Sequence, residues 1–355
     1  MRRRGDPTHR RTMPSAPAPD LASLARSPVA PGKGQLAIDE SFPAIGKRFA
    51  ALGLASTDES RRSCREILLT APGPGECVSG VILHDETLRQ FSSAGPPFPE
   101  MLARQGIIPG IKVDLGAVAP AIFPGEKITA GLDGLRERLS GYRDLGARFT
   151  KWRAVFAVAA LALPTAACVA ANARQRALFA ALSQEAGLVP IVEPEILMEG
   201  DHPLGRCEEA MHTVLEAVFG APAEHRVSLG SLLLKTAMVL PGTASRTGVA
   251  DEEIAAHTLR CLRRAVPAAV PGILFLSGGQ TPAEATARLG AIHRAGTGPW
   301  PLTYSFGRAL LAAALCAWGG HPENKIPAQR ALVAAVRENS RVVGLVPIAT
   351  APGEV

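Results

Sequence analysis

A lysine at the end of a long apolar run is the residue in this sequence best suited to covalent chemistry. Lys235 follows residues 227–234, which have the composition of a buried strand. Its side chain either reaches water there or lies in a pocket that tolerates it. An apolar pocket, or a neighbouring cation, disfavours the ammonium form and lowers the pKa of a lysine. The free amine can then attack a carbonyl carbon and form a Schiff base, so Lys235 is a candidate nucleophile.

The same arrangement, an apolar run that ends in charged residues, recurs along the chain. These charged residues are Asp39, Lys112, Asp114, Lys151, Arg153, Glu193, Glu195 and Lys235. Several form pairs two residues apart, and alternate residues of a strand point to the same face. Any one of them taken alone is better explained as a solvated strand end. Burial of the whole set on one face is costly unless its members pair or meet a ligand. With Lys47, Arg48 and Arg308 included, cations outnumber anions, which predicts a small substrate with two phosphates.

Two further features fit chemistry on a phosphorylated carbonyl compound. Glu193 and Glu195 are a candidate acid–base pair, because close carboxylates raise the pKa of one of them, and the protonated one can act as an acid. The alternative is that one carboxylate only neutralises a neighbouring lysine. The small residues 277–279, Ser-Gly-Gly, end another strand candidate and can offer backbone N–H groups to a phosphate. Together with Arg308 they form a predicted phosphate site.

Eight strand candidates position these residues. They lie at 34–39, 78–84, 107–114, 149–155, 188–195, 227–235, 273–277 and 301–305. Helical patterns lie at 21–26, 59–69, 98–104, 132–145, 165–186, 206–219, 251–264, 282–293, 307–318 and 325–340. Alternation of this kind implies parallel strands with right-handed crossovers, and eight such units close into an α/β fold, the (β/α)8 TIM barrel. The charges then lie at the strand ends where such barrels have their active sites. An open doubly wound sheet is the alternative, but the glycine-rich turn expected after its first strand is missing.

We therefore predict a single barrel domain over residues 21–342, preceded by a disordered Arg- and Pro-rich tail (1–20) and followed by a flexible tail (343–355). A hydrophobic content of 47% with 20% charged residues suits a large globular core. The basic tail lacks the apolar segment of a secretory signal. It also lacks the interleaved aromatic residues of a nucleic-acid-binding arm, so we expect no nucleic-acid partner.

Cysteine usage and hydropathy exclude two further classes. The six cysteines form no C-x-x-C pair and have no zinc-like spacing, which fits a reducing cytoplasm and predicts no metal site. The longest apolar stretch, 154–171, is rich in alanine and is interrupted by Pro164. A membrane span needs about 20 strongly apolar residues. We therefore expect no membrane partner.

The residues singled out above stand in sequence motifs of a known family. The motifs are APGKG (30–34), DES (39–41), GKR (46–48), GIKVD (110–114), KWR (151–153), PIVEPEIL (190–197), LLK (233–235), FLSGGQ (275–280) and SFGRAL (305–310). With them, the chain resembles the class I fructose-bisphosphate aldolases, the metal-independent type that uses a lysine Schiff base. The resemblance extends over about residues 29–340, nearly the whole chain. The combination of PIVEPEIL, KWR and FLSGGQ is highly specific.

This resemblance implies a TIM barrel that reversibly cleaves fructose 1,6-bisphosphate to dihydroxyacetone phosphate and glyceraldehyde 3-phosphate. It further implies an enzyme of glycolysis and gluconeogenesis that needs no cofactor and is a cytoplasmic homotetramer. Lys235 would form the Schiff base, and Asp39 would handle the proton of the C4 hydroxyl. Glu193, helped by Lys151 and Glu195, would donate the proton in carbinolamine dehydration. One phosphate would be held by Ser277, Gly278, Gly307 and Arg308, and the other would lie beside Ser41, Lys47, Arg48, Lys112 and Arg153.

The sequence also departs from the family pattern. It ends in Pro-Gly-Glu-Val, without the C-terminal tyrosine that aids proton transfer at the enamine carbon in many members. Ala44 stands where a small hydroxyl residue is common, and residues 230–232 are Gly-Ser-Leu where Glu-Gly-Thr is usual. Two alternatives remain open. One is an aldolase that prefers sedoheptulose bisphosphate or fructose 1-phosphate, and the other is a sugar-phosphate binding or scaffolding protein without turnover.

Overall fold

The computed structural model describes residues 20–159, 163–245, 248–296 and 298–344. The predicted tails, 1–20 and 343–355, lie almost wholly outside these residues. At the first boundary, the Asp20 carboxylate accepts a hydrogen bond of 3.1 Å from the Ala22 N–H and caps the first helix. At the second boundary, residues 343–344 end the last helix.

Ten strands lie in the described part of the chain. They are β1 (Gly34–Ile38), β2 (Val78–Leu83), β3 (Ile108–Lys112), β4 (Ala117–Val118), β5 (Ile128–Thr129), β6 (Phe149–Phe156), β7 (Val189–Ile196), β8 (Leu233–Thr236), β9 (Ile273–Phe275) and β10 (Leu302–Phe306). All except β4 and β5 form a closed parallel barrel in chain order, with β10 paired back to β1. The pair β4–β5 is a small antiparallel sheet between β3 and β6. The predicted (β/α)8 TIM barrel is confirmed.

Helices connect and surround the barrel strands. They are α1 (Leu21–Arg26), α2 (Phe42–Ala51), α3 (Asp58–Leu69), α4 (Asp85–Arg89), α5 (Phe98–Arg104), α6 (Leu135–Asp144), α7 (Ala166–Glu185), α8 (Leu204–Glu224), α9 (Asp251–Ala265), α10 (Pro282–Arg294), α11 (Arg308–Trp318) and α12 (Lys325–Gly344). The helical patterns of the sequence predicted all of them except α2 and α4. Gly46 lowers the intrinsic helix propensity of α2, which forms because Ile45 and Phe49 are buried.

The strand predicted at 227–235 is too long. β8 begins only at Leu233, because Leu229–Ser231 forms a turn of 3-10 helix. Gly230 in this turn has no side chain to pack and weakens a strand, which accounts for the late start. The other barrel strands begin and end within two residues of the predicted limits. Lys235 is therefore the third residue of a four-residue strand.

The barrel interior is apolar in its lower half and charged in its upper half. In the lower half, the ring of Phe149 lies over Gly80 and Gly110, and a Cβ atom at Gly110 would come within 2.0 Å of that ring. Around it is a cluster of buried residues: Ala25, Val29, Ala37, Ile82, Val189, Ile191, Leu233 and Leu274. Since Ala25 belongs to α1 and Val29 to the turn after it, the N-terminal helix closes the bottom of the barrel. The charged half opens toward the C-terminal ends of the strands.

Candidate active site

A cavity of about 650 Å³ lies at the C-terminal ends of the barrel strands. Every residue that the sequence predicted for the site lies on its wall: Asp39, Ser41, Lys47, Arg48, Lys112, Lys151, Arg153, Glu193, Glu195, Lys235, Ser277, Gly278, Gly307 and Arg308. The wall also contains Asp114, which belongs to the predicted set of charged strand-end residues but was given no specific role, and Glu40 and Ser305, which were not singled out from the sequence.

A network of buried ion pairs forms the floor of the cavity. The Lys151 Nζ atom lies 2.5 Å from Asp39 Oδ2 and 2.9 Å from Glu193 Oε2. The Lys235 Nζ atom lies 3.1 Å from the other Glu193 oxygen, Oε1. Neighbouring strands β6, β7 and β8 carry Lys151, Glu193 and Lys235, and Asp39 directly follows β1. Glu193 is therefore in contact with both lysines at once.

These contacts decide the charges of the buried groups. Burial works to raise the pKa of Asp39, but Lys151 and Lys235 outweigh it and hold that pKa well below its ordinary value. Burial likewise works to raise the pKa of Glu193, and the same two lysines lower it. Burial works to lower the pKa of Lys151, yet Asp39 and Glu193 raise it well above its usual range. Asp39 and Glu193 are therefore anions, and Lys151 is a cation, at neutral pH.

The prediction that the Glu193–Glu195 pair raises a carboxyl pKa is wrong for Glu193. Both residues lie in β7 two positions apart, but they face different cations. The Glu195 Oε2 atom lies 2.5 Å from Arg153 Nε, whereas Glu193 contacts the two lysines. Lys151 and Lys235 outweigh burial and hold the pKa of Glu193 down, while Glu195 pairs with Arg153. The proton for acid catalysis at Glu193 must therefore first come from another group, such as a lysine ammonium.

Asp114 links two of the predicted phosphate-binding cations. Its Oδ1 atom lies 2.6 Å from Lys112 Nζ, and its Oδ2 atom accepts a hydrogen bond of 3.1 Å from the Arg153 backbone N–H. The side chain of Arg153 remains 41% exposed on the cavity wall. The spacing of two between Lys112 and Asp114 was the sequence signal for this contact, because it places both side chains on one face.

One group of hydrogen-bond donors follows β9 and β10. Gly278 has a φ of +53°, in the region that favours glycine, and the Arg308 guanidinium donates a hydrogen bond to its carbonyl oxygen. The Gly279 N–H donates to the Met198 Sδ atom at 3.2 Å. Gly307 precedes α11, whose first N–H groups have no partner within the helix and suit an anion. The loops after these two strands can therefore hold a phosphate.

A second group of donors follows β1. Ser41 is the residue before α2, and α2 carries Lys47 and Arg48. Arg48 Nη1 lies 2.8 Å from Glu40 Oε1, and the other Glu40 oxygen lies 2.8 Å from Nη2 of the buried Arg65. Glu40 thus fixes Arg48 at the cavity wall. The sequence analysis missed this role, although Glu40 stands inside the DES motif, because its partner Arg65 is 25 residues away.

Comparison with known proteins identifies the family of the chain. The family model described as class-I fructose-bisphosphate aldolase matches residues 20–344. The chain belongs to this family. The resemblance inferred from the sequence motifs is therefore confirmed, and with it the enzyme class, an aldolase of the lyases.

Several relatives of this aldolase match over most of their length. A protein of Xanthomonas campestris pv. campestris named "Probable fructose-bisphosphate aldolase class 1" is 48% identical over 320 residues, 90% of this chain and 96% of the relative. "Fructose-bisphosphate aldolase 6, cytosolic" of Arabidopsis thaliana is 49% identical over 311 residues, 87% of this chain and 86% of the relative. A solved structure of fructose-bisphosphate aldolase from Plasmodium falciparum, in complex with TRAP and a small-molecule inhibitor, has a TM-score of 0.89 at 43% identity. It covers 91% of this chain and 94% of its own.

Within the described ranges, no group of three or more His, Cys, Asp and Glu side chains is placed to hold a metal ion. No helix in those ranges is long and apolar enough to cross a membrane.

Proposed function

We propose that this aldolase reversibly cleaves fructose 1,6-bisphosphate to dihydroxyacetone phosphate and glyceraldehyde 3-phosphate through a Schiff base on Lys235. The observation that carries the proposal is the contact between Lys235 Nζ and Glu193 Oε1, 3.1 Å apart, with each side chain only 4% exposed. A nucleophile and a base within hydrogen-bond reach, on the floor of a cavity, is the arrangement that activates an amine. Lys151 fixes the base from its other side.

Glu193 acts first as a base and then as an acid in imine formation. Its carboxylate, held anionic by the two lysines, takes a proton from the Lys235 ammonium. The free amine attacks C2 of the ketose, and a proton moves from nitrogen to the former carbonyl oxygen. Glu193 then protonates the hydroxyl, which leaves as water while the nitrogen lone pair forms the C=N bond. The positive charge of Lys235 ends on the iminium, and Glu193 is again an anion, held by Lys151. Glu195 supports this cycle by occupying Arg153.

Asp39 acts as the base in carbon–carbon cleavage. Its pKa is held well below the ordinary value, so it is an anion and has a free lone pair for the proton of the C4 hydroxyl. The O–H pair then forms the C4 carbonyl, the C3–C4 bond breaks, and its electron pair forms an enamine as the iminium nitrogen takes up the C=N pair. The iminium thus serves as the electron sink for this cleavage, a role that a metal ion fills in metal-dependent chemistry. Protonation at C3 and hydrolysis release dihydroxyacetone phosphate and restore Lys235.

Strand order supports one assignment of the two phosphates. The imine forms at C2, one bond from C1, so the C1 phosphate must lie near the strand of Lys235. The loop with Ser277 and Gly278 follows β9, the neighbour of β8, and Gly307 and Arg308 follow β10. These residues are proposed to hold the C1 phosphate. The C6 phosphate is assigned to the other donors: Ser41, Lys47, Arg48, Lys112 and Arg153.

Borohydride trapping tests the function. The protein is incubated with dihydroxyacetone phosphate and sodium borohydride, and the reduced adduct is located by peptide mass spectrometry. We expect one adduct on Lys235, and none in the Lys235→Arg variant. Lys33→Arg is a matched control, because its Nζ atom donates to the Gly75 carbonyl oxygen away from the cavity. A folded protein that binds the sugar phosphate without forming an adduct would instead be a binding protein without turnover.

The proposal also covers the location of the enzyme, its assembly and the limits of its catalytic domain. Relatives from Arabidopsis thaliana are named cytosolic, which supports a cytoplasmic enzyme. A homotetramer is supported by exposed apolar side chains in or near the β4–β5 sheet: Leu115, Val118, Ile122 and Phe123. Light scattering of the pure protein checks the assembly, and a monomer would contradict it.

Residues 21–342 are proposed as the complete catalytic domain, so removal of 1–20 and 343–355 is expected to leave cleavage activity in place.

A further inference from the structure

Gln35 is an isolated polar side chain inside the barrel. It is 0% exposed, and among the described residues neither its Oε1 nor its Nε2 atom has a hydrogen-bond partner. It shares the inward face of β1 with Ala37, which lines the active-site cavity. A buried amide without partners costs free energy, so a polar partner at this position is strongly favoured.

The neighbouring strand supplies a second unpartnered group. Gln35 is paired in register with Ser305 of β10, which is 1% exposed and lines the cavity. The Ser305 Oγ atom also has no hydrogen-bond partner among the described residues. Adjacent strands lie about 4.8 Å apart, so one water can bridge two paired residues that share a face. On its other side Gln35 is paired with Gly80, which is covered by the ring of Phe149.

The strand register also relates Gln35 and Ser305 to the proposed nucleophile, Lys235. Lys235 and Thr303 are both paired with Leu274 of β9, the strand that lies between β8 and β10. Strands of a closed eight-stranded barrel are staggered by about one residue per strand, so Ser305, two residues beyond Thr303 and two strands from β8, lies at about the level of Lys235. The Ser305 hydroxyl and the Lys235 amine therefore share the floor of one cavity.

We propose that Gln35 and Ser305 hold one ordered water on the cavity floor and that this water hydrolyses the Lys235 imine. This inference rests on the proposed Schiff-base function. The Gln35 carbonyl accepts a hydrogen bond from the water, and the Ser305 hydroxyl donates one to it, which leaves a lone pair of the water free for attack. Gln35 is thus a positioning residue, since it acts on the substrate through the water.

The hydrolysis balances with the groups already present. The water oxygen attacks C2 of the iminium, the C=N electron pair passes to nitrogen, and one water proton passes to the Glu193 carboxylate. Glu193 then returns the proton to the carbinolamine nitrogen. The C2–O electrons form the carbonyl as the C–N bond breaks, and the hydroxyl proton ends on the Lys235 amine. Imine formation is the reverse, so the water eliminated there enters the same site.

Loss of carbonyl oxygen label tests the proposal. Dihydroxyacetone phosphate labelled with ¹⁸O at C2 loses the label to solvent each time the imine forms and is hydrolysed. We expect Gln35→Leu to slow this loss about fivefold, the effect of one lost hydrogen bond. Thr303→Val is the matched control, because its hydroxyl lies on the same face of β10 but donates to the Lys33 carbonyl oxygen. It is expected to exchange at the wild-type rate.

A high-resolution crystal structure of the wild-type protein is the second measurement, with a water expected within hydrogen-bond distance of both Gln35 and Ser305. If Gln35→Leu does not fold, Ser305→Ala removes the other half of the site and is expected to slow label loss in the same way. A wild-type rate in either folded variant, or no shared water in the crystal, overturns the proposal. Borohydride trapping distinguishes failure of the proposed water site from failure of the proposed Schiff base. A Lys235 adduct with unchanged label loss rejects the water site alone, whereas no adduct rejects the Schiff base and the water site with it.

Discussion

Replacing Lys151 with methionine removes the cation that joins two buried carboxylates. Lys151 lies 2.5 Å from Asp39 and 2.9 Å from Glu193. At 2.5 Å and an effective dielectric constant of about 20, one such pair attracts by about 7 kcal/mol. Lys235 can compensate one of the two anions that remain. The other is expected to bind a proton, because this response costs less than leaving it as an unpaired buried anion.

The free-energy cost of binding that proton sets the size of the stability loss and the direction in which it changes with pH. A carboxyl with an ordinary pKa of about 4 is protonated at a cost of about 4 kcal/mol at pH 7 and about 1.4 kcal/mol at pH 5. In the wild type, the lowered pKa of Asp39 contributes stability above about pH 4 that is lost only as pH falls further. In the Lys151→Met variant, the folded state holds one more proton than the unfolded state, so its stability rises as pH falls.

We therefore expect Lys151→Met to lower the unfolding free energy by about 4 kcal/mol at pH 7 and by about 1.4 kcal/mol at pH 5, measured by urea denaturation. The matched control is Arg136→Met, which removes a cation from an exposed pair with Glu185 and is expected to cost less than about 1 kcal/mol at both pH values. An equal loss for Lys151→Met at both pH values would refute the reasoning, since it would show that packing and not charge is responsible.

Three further predictions concern the active site and the barrel. Because the pKa values of Asp39 and Glu193 are lowered, kcat/KM corrected for protonation of the substrate phosphates near about pH 6 is expected to fall on the acid side only below about pH 4, and a corrected decline already at pH 6 would contradict this. Arg308→Ala is expected to raise KM for both fructose 1-phosphate and fructose 1,6-bisphosphate, whereas Arg48→Ala raises it for the bisphosphate alone; the opposite pattern would reverse the phosphate assignment. Gly110→Ala places a methyl group against the aromatic ring above it and is expected to cost about 1–3 kcal/mol in urea denaturation, and an unchanged midpoint would show that the ring moves freely.

The alternation of strands and helices was sufficient to predict the barrel, because it depends on local patterns. Each barrel strand is a short apolar run bounded by loops, and parallel pairing brings all C-terminal ends to one side. Charged residues at those ends, such as Asp39 and Lys235, therefore had to meet. α2 was not predicted, since its helicity comes from burial of Ile45 and Phe49 against the barrel and not from its own propensities.

The charge states of the site could not be predicted in the same way. Glu193 and Glu195 are two residues apart, which suggested mutual repulsion. The pKa of Glu193 is instead lowered by the lysines that face it from β6 and β8, and these contacts are set by strand register and side-chain geometry. The same holds for Glu40, whose partner Arg65 comes from a separate helix, α3. Contacts between distant segments decide both cases, and no local pattern encodes them.

The ring of Phe149 and helix α1 beneath it close the lower end of the barrel. This closed end bears on the order in which substrates bind and products leave. A chamber with a single mouth releases first whatever lies nearest the exit. On the proposed mechanism, the ketone half remains tethered to Lys235 at the floor after cleavage, while the aldehyde half is free. The aldehyde therefore departs first, and in the synthetic direction the ketone must enter first. The order of arrival and departure then follows from the covalent tether at the closed end of the barrel and does not depend on the relative affinities of the two trioses.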